Sequence, residues 1–158
     1  QAFSVTKELV KVPGLTGGGK MSKSAGEADT IYLNEEAKAL QKKIMRAVSD
    51  SGPAEPGQPK SAPVQNLFDL MSLICAQETI DFFNEEHQKG SIRYGDLKKQ
   101  LAADMETFIA PLRENINVQL EKEKELDEIA AFGGEKARKS AAETMNAVRE
   151  SVGFKKIW

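Results

Sequence analysis

Two lysines, Lys20 and Lys23, stand three residues apart behind the glycine run Gly17-Gly18-Gly19, with Ser22 and Ser24 between and after them. Ammonium groups at that spacing can straddle a polyphosphate, and serine hydroxyls and backbone amides add shorter contacts to its oxygens. Lysine acts as a compact point charge on a mobile stem. Glycines let the backbone approach a ligand closely and let a loop open and close. A phosphate-binding P-loop is one alternative, because "GLTGGGKM" meets G-x-x-x-x-G-K from Gly14 to Lys20. It fails at Met21, where a hydroxyl should meet magnesium. No helical apolar stripe starts before Ile31, so the helix N-terminus that a P-loop points at phosphate is missing too. The bland alternative is a solvated loop with two incidental lysines; the unbroken pentapeptide Lys20-Met21-Ser22-Lys23-Ser24 after a glycine run argues against it.

The elements that must hold this loop are helical. Residues 1–12 partly alternate apolar and polar, which allows a short strand or extended segment. Residues 14–26 carry no periodicity and read as loop. Asn34 is a candidate cap for a first helix, whose Ala37, Leu40, Ile44, Ala47 and Val48 make one apolar stripe. "SDSGPAEPGQPKSAP" ends it as a long proline-rich loop. "VQNLFDLMSLICA" is a short apolar helix, Thr79 is a candidate cap for the next, and Gly90 is placed to end that one. From near Tyr94 a long helix follows, with Leu97, Leu101, Met105, Phe108, Leu112, Ile116 and Leu120 on one face and a kink expected at Pro111. Gly133-Gly134 is expected to break the chain before a last helix carrying Ala137, Ala141, Met145, Val148 and Val152. Strand signals are almost absent after residue 33. The expected fold is therefore all-α: a bundle of about five helices preceded by a short extended or loop segment.

Composition sets outer bounds. At 158 residues, 40% hydrophobic and 29% charged, the chain has the make-up of a globular domain with a real core. A net charge of −2 argues against a generally basic nucleic-acid coat while allowing local basic patches. The single cysteine, Cys75, lies in an apolar run and reads as a buried structural thiol, consistent with a reducing cytoplasm. His87 has only Glu85 and Glu86 beside it, which is not metal-ligand spacing. Phe154, Ile157 and Trp158 are expected to pack back on the bundle. The acidic run "EKEKELDE" reads as a solvated helix face. No apolar stretch reaches the ~20 residues needed to cross a bilayer.

"KMSKS" resembles the signature loop of class I aminoacyl-tRNA synthetases, and the rest of the chain is similar to the C-terminal part of the bacterial-type tryptophanyl-tRNA synthetases. "IYLNEEAKALQKKIMRAVSDS" resembles the family's segment after the loop, with Ser49 in place of the usual threonine. "NLFDLMSLICAQETIDFFNEE", with Ala76 where glycine is common, "YGDLKKQLAADMETFIAPLREN", including Pro111, and "GGEKARKSAAETMNAVRESVGF" resemble the segments that follow. The likeness runs from about Val12 onward, in register with the helices above.

The resemblance implies an activity: activation of tryptophan with ATP and Mg²⁺, then transfer to tRNA(Trp), in a cytoplasmic homodimer. It implies that Lys20 and Lys23 are the catalytic cations and that Lys20, Met21, Ser22, Lys23 and Ser24 bind ATP, Met21 lying near the adenosine. Residues 1–33 would be the end of the catalytic domain, and residues 34–158 the helical domain that takes part in anticodon recognition. Which of Lys42, Lys43, Arg46, Arg93, Arg113, Lys136, Arg138 or Lys139 touch RNA stays open, and no metal ligands are assigned. The family's other signature, a His-x-Gly-His element, has no match here. The nucleotide-binding (Rossmann) domain and the tryptophan pocket are therefore expected upstream, and this segment is expected to be inactive alone. Two alternatives stay open: a non-catalytic helical module for RNA or protein with a relic loop, and a class I synthetase of different amino-acid specificity.

Overall fold

The structure is a computed structural model that describes residues 11–17, 19–53 and 55–153. The expected strand over residues 1–12 falls almost entirely outside them, and the expected packing of Phe154, Ile157 and Trp158 lies wholly outside. Among the described residues there are five α-helices and no strand: α1 (Ala37–Met45), α2 (Ala62–Ile74), α3 (Gln77–Lys89), α4 (Tyr94–Leu120) and α5 (Glu123–Ser151). This is the all-α bundle expected. The chain forms two compact units, Gln1–Glu114 and Asn115–Trp158, with the boundary inside α4.

The first unit holds the core. In α1, Leu40 and Ile44 stand four apart and are fully buried, because residues at i and i+4 share one helix face. In α2, Val64, Leu67, Phe68, Leu70 and Met71 are buried, and in α3 Phe83 and His87. In α4 the buried row is Tyr94, Leu97, Lys98, Leu101, Ala102, Met105 and Ile109. The expected stripe holds for Leu97, Leu101 and Met105 and not beyond them: Phe108 is 54% exposed with Ile109 buried in its place, Leu112 and Ile116 are only partly buried, and Leu120 is 56% exposed. The step from Met105 to Ile109 is i+4 rather than i+3, and both spacings lie on one helix face.

Helix ends correct several expectations. The N-cap of α1 is Glu36, not Asn34, and α3 starts after Ala76 with Thr79 already inside it. Neither cap makes a side-chain hydrogen bond, so packing of the apolar faces, rather than cap chemistry, fixes where these helices begin. Pro63 belongs to the first turn of α2, not to the loop. It is tolerated there because that turn's N–H groups have no intrahelical partner. Gly90 does end α3, in the left-handed region at φ 75°. Its N–H donates to the His87 carbonyl at 3.1 Å and Ser91 N–H to the Glu86 carbonyl at 3.0 Å, the pair of bonds that closes a helix on a glycine.

The proline-rich loop is tied down. Gly57 N–H donates to the Gln88 carbonyl at 2.9 Å, and Asp50 accepts from Gly52 N–H at 2.9 Å and from the Ser61 hydroxyl. In the second unit, α5 runs straight through Gly133-Gly134, where a break was expected. Each glycine costs a helix only about 1 kcal/mol relative to alanine, and the alanine-, lysine- and glutamate-rich flanks outweigh that cost. α4 continues through Pro111 as one helix, as expected.

Candidate functional site

The glycine-rich stretch folds as a tight hairpin. Pro13 and Lys20 pair across it, Met21 N–H donates to the Val12 carbonyl at 2.8 Å, and Gly14 N–H to the Gly19 carbonyl at 3.2 Å. Gly17 and Gly19 take positive φ, 84° and 47°, a conformation that costs other residues strain. Lys20 thus emerges at the end of the hairpin, exposed to solvent. A single 3₁₀ turn, Lys23–Ala25, follows. Ser22 caps it, its hydroxyl oxygen accepting from Ser24 N–H at 3.3 Å and lying 2.7 Å from the Ser24 hydroxyl.

The pentapeptide therefore divides in two. Lys20, Lys23 and Ser24 are exposed, and Ser22 is partly so. Met21 turns inward against the core, its Sδ accepting from Ile31 N–H at 3.4 Å. No ion pair engages Lys20 or Lys23 among the described residues, so both ammonium groups are presented to solvent with their charge uncompensated.

Two adjacent residues that sequence reasoning missed hold the hairpin. Asp29 is 1% exposed. Its Oδ1 accepts from Thr16 N–H at 2.9 Å and from the Thr16 hydroxyl at 2.6 Å, and its carbonyl accepts from Leu15 N–H at 3.2 Å. The carboxylate lies against Gly14 so closely that a Cβ there would stand 2.3 Å from both oxygens. Gly14 is thus required by the approach of Asp29. Thr30, also buried, donates its hydroxyl to the Ser22 carbonyl at 2.8 Å. The Thr30 carbonyl accepts from Lys43 Nζ at 2.9 Å, and Lys43 pairs with Glu35 at 2.6 Å and lies 5.1 Å from the Tyr32 ring centroid. An acidic residue after a glycine loop gives no sequence signal of burial; the glycine at position 14 was the only trace.

The basic residues in question divide in the same way. Lys43 is committed to this frame, and Arg113 is held by Glu106 in a two-point pair at 2.8 Å each. Lys42, Arg46 and Arg93 are exposed without an ion pair among the described residues, as are Lys136, Arg138 and Lys139 on α5. A cleft of about 310 Å³ lies between the hairpin and α1, lined by Thr16, Glu27, Glu35, Lys42, Lys43 and Arg46 among others.

Lys98, which sequence reasoning would leave on the surface, is buried. Its Nζ donates to the Ala47 carbonyl at 2.7 Å and to the Ser49 hydroxyl at 2.9 Å, closing the chain just beyond α1. Burial lowers its pKa from the usual lysine value.

His87 is 1% exposed and meets Phe68 edge-on at 6.4 Å. Burial, then the charge of Lys60, lowers its pKa, with Asp50 opposing. Cys75 is half-buried against the core, and burial followed by the Asp104 carboxylate pushes its thiol up to about 12. It is thus less buried than expected, and its raised pKa disfavours the thiolate, the nucleophilic form.

Among the described residues no group of three or more His, Cys, Asp or Glu converges to hold a metal ion. No helix there is long and apolar enough to cross a membrane. The all-α unit presents Lys20-Met21-Ser22-Lys23-Ser24 on a glycine hairpin, the pentapeptide that resembles the class I synthetase signature loop. In agreement, the family model "tRNA synthetases class I (W and Y)" matches residues 1–110, and the chain belongs to that family.

Within the family its sequence is similar to tryptophan–tRNA ligases. It is 46% identical over 155 residues to that of Porphyromonas gingivalis, covering 98% of this chain and 47% of the relative. It is 36% identical over 148 residues to that of Rhodopirellula baltica, covering 92% and 44%. The crystal structure of tryptophanyl-tRNA synthetase from Campylobacter jejuni, complexed with ADP and tryptophan, superposes with a TM-score of 0.66 at 34% identity, covering 94% of this chain and 45% of that one. The chain spans about half the length of the relatives it matches.

Proposed function

We propose that this chain supplies the phosphate-binding loop and helical domain of a tryptophan–tRNA ligase, which activates tryptophan with ATP and passes it to tRNA(Trp). The observation that carries the reading is Lys20 and Lys23, exposed and without an ion pair among the described residues, on a glycine hairpin and the turn after it in a chain 46% identical to such a ligase. Attack of the tryptophan carboxylate on the α-phosphorus of ATP forms tryptophanyl-adenylate and expels pyrophosphate. Negative charge grows on that leaving group, and two ammonium groups free of competing carboxylates stabilise it where it develops. Ser22 and Ser24 hold the 3₁₀ turn that aims Lys23. Met21 is the anchor of the pentapeptide, and its partly exposed edge suits contact with the adenosine. Among the described residues no metal cage is present, and Mg²⁺ would be carried by the nucleotide phosphates, as is usual for this ion.

On this reading residues 1–33 close the catalytic domain and residues 34–158 form the part that meets tRNA, the complete enzyme working as a cytoplasmic homodimer. Lys23→Ala in the complete enzyme is expected to lower tryptophan-dependent ATP–pyrophosphate exchange by roughly 10²–10³-fold, the usual effect of removing one preorganised transition-state contact. Unchanged exchange by that variant would leave the loop with no catalytic part.

A further inference from the structure

The hairpin that carries Lys20 and Lys23 is held at both ends by two consecutive buried residues. Asp29 grips Thr16, before the glycines, and Thr30 grips Ser22, after them. We infer that the Asp29–Thr30 pair is a positioning brace that fixes the two ends of the glycine strap, so that motion around the nucleotide is confined to the strap and the lysines return to one geometry in the transition state. The inference rests on the reading of the loop given above and assigns it a control.

Three observations support a positioning role over a merely stabilising one. First, Asp29 is a costly choice for a filler. One carboxylate oxygen takes both bonds from Thr16, while Oδ2 is buried without a donor among the described residues. Burying a charge so incompletely satisfied is unfavourable, and an apolar side chain would fill the space without that cost. What the carboxylate provides is strong double acceptance at one point of the backbone. Second, Gly14 is stripped of a side chain to admit it. Third, the Thr30 bond falls on the carbonyl of Ser22, the residue that caps the turn bearing Lys23. The Thr30 carbonyl is in turn held by Lys43, itself fixed by Glu35. This chain of contacts runs from Lys43 of α1 through Thr30 to Ser22 of the signature loop.

The test compares valine and serine at positions 16 and 30 in the complete enzyme, with Lys23→Ala as reference. Valine keeps the threonine shape and removes the hydroxyl; serine keeps the hydroxyl. Thr30→Val and Thr16→Val are each expected to lower kcat of pyrophosphate exchange by about tenfold while KM for ATP moves less than about threefold, the pattern of an interaction needed in the transition state. Thr30→Ser and Thr16→Ser are expected to stay within about twofold of the parent. In the 158-residue chain itself, Thr30→Val should speed amide hydrogen exchange at Met21 by at least about threefold, a local readout that a loss of global stability would not confine to the hairpin.

If Lys23→Ala is impaired and the valine variants are not, the brace is wrong and the loop reading stands. Serine variants as impaired as the valine ones also overturn the brace, because packing and not the hydroxyl would then matter. Should Thr30→Val fail to fold, Thr16→Val decides alone, its side chain being exposed. An unimpaired Lys23→Ala removes the loop reading, and the brace with it.

Discussion

At the scale of single residues, polar side chains buried in the first unit do most of the unexpected work. Asp29, Thr30, His87 and Lys98 are all buried, and each belongs to a type that sequence patterns assign to the surface. Lys20 and Lys23 stood out in the sequence because their spacing suits a polyphosphate, and both are exposed. The residues holding them did not, because a carboxylate thirteen positions from its partner leaves no periodic trace. His87 gives this scale its prediction. Burial lowers its pKa in the folded chain below the ordinary histidine value of 6.5, so near that pH the unfolded chain binds the proton more readily. Stability contributed by neutral His87 is therefore present above 6.5 and lost as pH falls from 6.5 toward the folded value. Unfolding free energy should drop between pH 7.5 and 5.5, and His87→Leu should flatten that slope. An equal slope in the variant would place the acid sensitivity elsewhere.

At the scale of elements, periodicity predicted which helices exist, and local chemistry misplaced several of their ends. Gly90 was read correctly because a left-handed C-cap is a demand of geometry. Asn34 and Thr79 are good caps left unused, since the apolar faces of α1 and α3 decide the start. Gly133-Gly134 shows the opposite error: a pair of weak helix formers was read as a break, and α5 tolerates it. A Cβ at Gly133 would meet nothing within 4 Å. Gly133→Ala is therefore expected to stabilise α5 by about 0.5–1 kcal/mol, seen as greater helicity by circular dichroism on partial unfolding. A loss of helicity would mean that the glycine serves a contact the helix alone does not show.

At the scale of the whole chain, fold class was fully legible, because every apolar stripe had a helical period and needed a partner to bury against. The two compact units were not, since the boundary at residue 114 falls inside one helix and carries no compositional mark. The chain spans about half of its relatives, and no sheet for a nucleotide lies among its described residues. On the proposed reading, the 158-residue chain alone is expected to show no tryptophan-dependent pyrophosphate exchange. Exchange by the isolated chain would mean that its helices bind both substrates.

One peptide group links these scales. Between Ala47 and Val48, the carbonyl accepts from Lys98 of α4 at 2.7 Å, while the N–H of the same amide donates to the Leu15 carbonyl in the hairpin at 2.9 Å. An amide plane has no soft torsion within it. It behaves as a lever whose two arms cannot bend independently, so a long helix and a glycine hairpin far apart in sequence share one stiff joint.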